Sequence, residues 1–211
     1  DELENRGELV RVKKEVDRKH ELGAVIRKLC DIQGPAVIFE KVKGSDIPVL
    51  SNLFGAYRRV AMAFDTTERN LHLLVMELMD HYPVKPKLVP TGPVKEVVLT
   101  REKANLNSFP IPTLNALDGG PYITFGVQIA KEPKTGIPNA SIHRMQVHSK
   151  NRLGLFADPP QHLGWYRVAA EEQNKPLDVA VVIGCDAAVI MAASLTPPYE
   201  WDELALAGAF L

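Results

Sequence analysis

Three side chains able to ligate a metal through oxygen or nitrogen stand one per segment in the later part of this 211-residue chain: Asn139, His162 and Glu203. Ser141, Arg144 and Gln161 lie beside them. An amide oxygen, an imidazole and a carboxylate make a mixed, fairly hard donor set. It suits Mn²⁺ or Mg²⁺ sharing its shell with a phosphate better than a structural zinc. Arg144 could clamp a phosphate or a carboxylate through two parallel hydrogen bonds. The three ligands are spread over dozens of residues, and no short-spaced pair such as HExxH or CxxC fixes them. On ligand chemistry alone each therefore keeps an ordinary reading. Asn139 reads as a turn residue after Pro138, His162 as a first-turn helix residue and Glu203 as a helix cap.

The elements that must position these residues constrain the reading. Asn139 and Arg144 are five apart, so on one regular strand they point to opposite faces. Both reach one site only if Asn139 lies in the turn before the strand or a bulge intervenes. A helix through Trp165–Glu172 places His162 in its first turn, where backbone N–H groups also point outward and suit a phosphate. Tyr122–Ala130 reads as a half-buried strand whose hairpin partner is Ser141–His148, with Gly154–Phe156 as a third strand. Val179–Ile183 is a continuous apolar run, the pattern of a strand buried on both faces. Ala187–Ala193 reads as a short helix, and Pro197-Pro198 break the chain before the acidic segment at Glu203.

Upstream, Leu9–Val12 reads as a short strand. Leu22, Val25, Ile26, Leu29 and Cys30 mark one face of a helix that ends at Gln33-Gly34-Pro35. Strands follow at Ala36–Val42 and Ile47–Ser51. Tyr57–Phe64 reads as a short helix with Arg58 and Arg59 on a solvated face. Leu71, Leu74, Val75, Leu78 and Met79 form the stripe of another helix, with Met76 and Met79 filling core gaps. Residues 83–93 carry four prolines and read as an extended connector, followed by a strand at Glu96–Thr100. The domain boundary falls near residue 105, between an N-terminal α/β domain (1–105) and a second domain (106–211).

Composition sets broader bounds. Hydrophobic residues make up 45% and charged residues 24%, the balance of a globular protein large enough for a real core. The net charge of −1 argues against a nucleic-acid binder that relies on a basic face. No apolar run has the length of a membrane span, and the charged start Asp1-Glu2-Leu3-Glu4 is not a signal peptide. Cys30 and Cys185 read as two buried free thiols of a cytoplasmic protein.

Six segments in order resemble the UbiD-type family of decarboxylases, which use prenylated FMN. Ile47–Gly55 resembles "IPVxxNxFG", Gly119–Thr124 "GGxYIT" and Asn139–Arg144 "NxSxxR". Gln161-His162 matches the histidine segment, Ile183–Ala188 resembles "xGxxPA", and Glu203–Gly208 fits "ExxxAG". Any one piece is weak, but six in register over residues 47–208 are specific. The resemblance implies an α+β fold, in which the N-terminal α/β domain precedes the first part of a split β-barrel that binds a flavin. It implies that Asn139, His162 and Glu203 bind Mn²⁺ (or Mg²⁺) bridging to the cofactor phosphate. Residues Asn139, Ala140, Ser141, Ile142, His143 and Arg144, with Gln161 and His162, would cradle prenylated FMN, with Thr124 facing its phosphate end. Arg144 would be the catalytic arginine that orients the substrate carboxylate, and carbonyls of Ala192–Leu195 would hold K⁺.

The family's glutamates that pair with the arginine and donate the proton, its lysine near the cofactor and its oligomerisation domain map beyond Leu211. The resemblance thus implies the front part of a longer enzyme, inactive alone. The complete protein would be a homo-oligomer acting on a small carboxylic acid, aromatic or α,β-unsaturated, with a flavin prenyltransferase as its cofactor source. The other reading is a non-catalytic flavin-binding accessory subunit of a split decarboxylase.

Overall fold

The computed structural model describes residues 2–211 as a mixed α/β chain. In chain order its elements are α1 (Glu2–Asn5), β1 (Leu9–Val12), α2 (Glu21–Asp31), β2 (Ala36–Phe39), β3 (Val49–Ser51), α3 (Tyr57–Ala63) and α4 (Leu71–Met79). There follow β4 (Tyr122–Ile123), β5 (Gly126–Lys131), β6 (Pro138–Ile142), β7 (Met145–Ser149) and β8 (Arg152–Leu155). The last elements are α5 (His162–Glu172), β9 (Val179–Ile183), α6 (Ala187–Ser194) and α7 (Glu203–Ala209). They form two compact units. One comprises the chain through Leu71 with Leu99–Ile123 and Gln146–Gly154. The other comprises His72–Val98, Thr124–Met145 and Leu155–Leu211. No helix among the described residues is long and apolar enough to cross a membrane.

In the first unit β2 is the middle strand of a three-stranded sheet, parallel to β1 and antiparallel to β3. A parallel pair needs a crossover, and α2 supplies it. The apolar face of α2 packs Leu22, Val25, Ile26 and Leu29 against Val37, Phe39 and Val49, as its spacing predicts. Gly23 is needed where α2 meets the segment around Leu114, because a Cβ there would lie 2.3 Å from the Leu114 carbonyl oxygen. A second sheet orders β4-β7-β8.

Two expectations fail in this unit. Arg59 is not on a solvated face: it is 2% exposed. Its guanidinium pairs with Glu8 at 2.9 Å and donates to the carbonyls of Gly34, Leu53 and Asn52. A buried guanidinium is tolerable only when its donors are met in this way. Arg58 pairs with the same Glu8 at 2.6 Å. Cys30 is exposed rather than buried, and its thiol lies 3.2 Å from Asn52 Oδ1. Leu29 in the same turn still packs on the core, so the buried stripe of α2 ends one residue short of Cys30. Both cysteines are free thiols.

In the second unit β5 is the middle strand of an antiparallel sheet ordered β6-β5-β9. Val127, Ala140 and Ala193 are buried together, with Ile129, Ile142, Val182 and Leu204 packed on them. The expected strand Tyr122–Ala130 breaks at Thr124-Phe125 into β4 and β5, which join different sheets. The expected strand Glu96–Thr100 does not form, and a 3₁₀ turn at Pro93–Lys95 precedes an irregular, exposed stretch. Among the described residues no strand pairs with it, and an extended segment without a ladder has nothing to hold it flat. β9 forms as expected but is not buried on both faces: Val179, Val181 and Ile183 are exposed. Among the described residues it is an edge strand that pairs with β5 alone. Met76 is also exposed rather than a core filler. None of the three sheets closes into a barrel among the described residues.

Candidate functional site

Strand β6 carries Asn139, the first turn of α5 carries His162, and the first turn of α7 carries Glu203. All three lie in the second unit. Asp202 caps α7 by accepting from the Leu204 and Ala205 N–H groups, which starts the helix at Glu203. The segment before α7 is clamped from upstream. Tyr82 stacks on Trp201 with ring centroids 3.9 Å apart, and the Asp202 N–H donates to the Tyr82 hydroxyl. Gly208 lets α7 press against Val84, whose carbonyl oxygen would lie 2.4 Å from a Cβ. The turn at His162 is set by Gly164, where a Cβ would fall 2.2 Å from the Asp158 carbonyl carbon and 2.5 Å from the Pro159 nitrogen.

The three predicted ligands meet at one atom. Asn139 Nδ2 donates to Glu203 Oε1 at 2.8 Å, and His162 Nδ1 lies 3.5 Å from the same oxygen. The other carboxylate oxygen accepts the Ala140 N–H at 3.0 Å. Ser141 Oγ donates to Asn139 Oδ1, and His143 Nε2 lies 3.1 Å from Ser141 Oγ. Glu203 is 1% exposed, and burial pushes its carboxyl above the ordinary range against the pull of Ala140, Asn139 and His162. Burial pushes the His143 imidazole down. A buried carboxylate with an imidazole and an amide beside it fits a divalent cation of the Mn²⁺ type, which would relieve the cost of keeping that charge and would be met by the amide through Oδ1, the atom that here accepts from Ser141. Among the described residues no group of three or more His, Cys, Asp and Glu side chains is placed to hold a metal. The third donor here is an amide.

Arg144 is reached differently from either geometry expected. Asn139 lies within β6, opposite Ala130, and the strand itself breaks at His143-Arg144 before β7 begins. Buried Gln128 holds that break, accepting the His143 N–H at 2.6 Å and donating to its carbonyl at 3.1 Å. Arg144 is exposed and makes no hydrogen bond or ion pair with a described residue. Gln161 is the residue before α5, exposed, and its side chain does not cap the helix. Neither joins the Asn139–His162–Glu203 cluster. Ala192–Leu195 form the last turn of α6 and its cap.

The sequence reading missed the aromatic surround. Tyr199 stands edge-on to His162 and to Tyr166, with centroids 5.3 and 5.6 Å apart. The signal for Tyr166 was its place four residues after His162, on the same face of α5. A cleft of about 570 Å³ opens beside His162, lined also by Glu132, Trp165 and Tyr199. A second cleft, of about 490 Å³ in the first unit, contains none of the predicted site residues.

Residues 87–211 match the Rift-related domain of 3-octaprenyl-4-hydroxybenzoate carboxy-lyase, and residues 1–79 match that enzyme's N-terminal domain. The chain belongs to the UbiD family. An uncharacterised Rhodospirillum rubrum protein of the cooM 5′ region is 40% identical over 217 residues, covering 100% of this chain and 46% of that protein. The anhydromevalonate phosphate decarboxylase of Methanothermobacter thermautotrophicus is 34% identical, covering 94% of this chain and 45% of that protein. The UbiD-class enzyme HmfF from Pelotomaculum thermopropionicum, solved in complex with FMN, superposes with a TM-score of 0.92 at 39% identity, over 99% of this chain and 46% of its own. Vanillic acid decarboxylase of Sedimentibacter hydroxybenzoicus superposes with a TM-score of 0.93 at 29% identity, over 99% and 46%. The chain thus spans about half the length of these UbiD relatives.

Proposed function

We propose that this chain carries the metal- and phosphate-binding part of a reversible, non-oxidative decarboxylase that acts on an aromatic or α,β-unsaturated carboxylic acid with prenylated FMN. The observation that carries this reading is the meeting of Asn139 and His162 at Glu203 Oε1. Solved forms of HmfF that hold FMN and prenylated FMN support the cofactor, and the decarboxylase names of its relatives support the reaction.

In this reading Asn139, His162 and Glu203 would hold Mn²⁺, which would supply positive charge for the flavin phosphate. The first-turn N–H groups of α5 add dipole and hydrogen bonds on the phosphate side. Residues 140–143 and Gln161 line the cofactor, and carbonyls of 192–195 serve K⁺. Prenylated FMN, when bound, supplies the electron sink for loss of CO₂. The chain's own work is binding and orientation. Arg144, presented at the strand break by Gln128, takes the substrate carboxylate through its planar fork. A flavin prenyltransferase supplies the cofactor.

The test is co-expression of the complete protein with such a prenyltransferase, followed by mass spectrometry of the bound flavin and metal analysis. Wild type is expected to retain prenylated FMN and Mn²⁺, and Asn139→Ala, His162→Ala and Glu203→Ala to lose both. Normal flavin and manganese in all three variants would falsify the proposal.

A further inference from the structure

Tyr166 is wholly buried, yet among the described residues its hydroxyl is the one buried side-chain polar atom without a hydrogen-bond partner. Buried hydroxyls are almost always partnered, and an orphan points to a water or ion beside it. The residue lies one turn beyond His162 on α5, and Tyr199 stands edge-on to both rings. Burial, then the charge of Glu203, push the phenol's pKa up, with Tyr199, Glu132 and Asp202 acting the same way. The hydroxyl therefore keeps its proton and is a donor. The carboxylates whose charge it feels accept from other groups and not from this hydroxyl. Glu132 Oε2 takes the Lys134 and Thr135 N–H groups, Asp202 Oδ1 takes those of Leu204 and Ala205, and Glu203 takes Asn139 and Ala140. A donor bonded to none of these carboxylates is met by a mediator that accepts its hydrogen and gives one of its own to a carboxylate, as a buried water does.

We propose that Tyr166 is a positioning residue of the Asn139–His162–Glu203 centre, its hydroxyl donating to a buried water that in turn donates to the Glu203 carboxylate and fixes how that carboxylate meets a divalent cation. The inference rests on the metal reading of those three residues. It adds an outer partner of the kind that orients ligating carboxylates.

The test is Tyr166→Phe, which keeps the ring and removes only the orphan oxygen. Mn²⁺ binding is measured on purified protein by calorimetry and by the EPR signal of unbound ion, and thermal unfolding is measured without added metal. Affinity is expected to fall about tenfold or more, the usual effect of losing an outer-shell partner, with Tm unchanged or raised. Crystals of the wild type are expected to show a water within hydrogen-bond distance of both Tyr166 Oη and Glu203. Undiminished Mn²⁺ affinity in the variant overturns the inference while leaving the metal site standing. A lowered Tm alongside lost affinity overturns it in favour of plain packing. Failure of wild type to bind Mn²⁺ removes both readings together.

Discussion

Asn139 and Glu203 are 64 residues apart in sequence, and the amide of one donates to the carboxylate of the other at 2.8 Å with both side chains buried. Strand β6 and helix α7 are thereby tied at the atom where His162 also arrives. The bond is structural as well as a candidate ligand arrangement, so its loss has two separable consequences.

Glu203→Ala leaves the Asn139 amide and the Ala140 N–H without their acceptor in a buried setting. The expected cost is about 2–5 kcal/mol, from two unpaired groups and a cavity. Urea unfolding checks this through the transition midpoint. Glu203→Gln retains one acceptor oxygen and is expected to lose less. Adding Mn²⁺ is expected to raise the midpoint of wild type and of neither variant, because only a ligand bound by the native state stabilises it.

Glu8 links stability to pH in the first unit. The hydrogen bond from Arg58 holds its carboxyl below the ordinary range, with the bond from Arg59 acting the same way. A depressed carboxylate contributes stability above its unfolded pKa, and that contribution is lost as pH falls through the folded value. Stability is therefore expected to drop on acidification below about pH 4.5, the ordinary glutamate value. Glu8→Gln is expected to flatten this limb and to weaken the protein at neutral pH by about 1–3 kcal/mol, since buried Arg59 loses its counter-charge. Unfolding curves at a series of pH values check it. An identical acid limb in the variant would assign the effect elsewhere.

Gly164→Ala is expected to be costly although alanine favours helices. Its Cβ would meet the backbone of Asp158 and Pro159 rather than a movable side chain. The expected loss is about 1–3 kcal/mol or more. Because His162 sits in the same turn, Mn²⁺ binding should weaken as well. Gly92→Ala is the control: a Cβ there meets nothing within 4 Å and its φ is extended, so Tm is expected to stay put.

Much of the local structure was legible in the sequence because local periodicity causes it. The face of α2, the existence of α5, the run that became β9 and the proline breaks all report short-range preferences. What escaped depends on neighbours that no spacing reveals. Arg59 looks like any surface arginine until Glu8, Gly34, Asn52 and Leu53 are seen around it. Cys30 kept the helical phase of the core yet fell outside it, and Val97 and Val98 had the strand pattern but no partner strand among the described residues.

For the site, the sequence by itself offered the candidate side chains and, through six ordered segments, pointed to the family to which the chain belongs. Only the tertiary structure decided that Asn139 and His162 meet at one oxygen of Glu203, that Gln128 holds the strand break ahead of Arg144, and that the buried Tyr166 hydroxyl, one turn beyond His162, has no direct partner. The reason is physical. A donor set is a property of side-chain chemistry, whereas convergence requires a strand and two helices from distant parts of the chain to pack together, and close approach is enforced at Gly164 and Gly208, where an added Cβ would meet backbone at 2.2 and 2.4 Å.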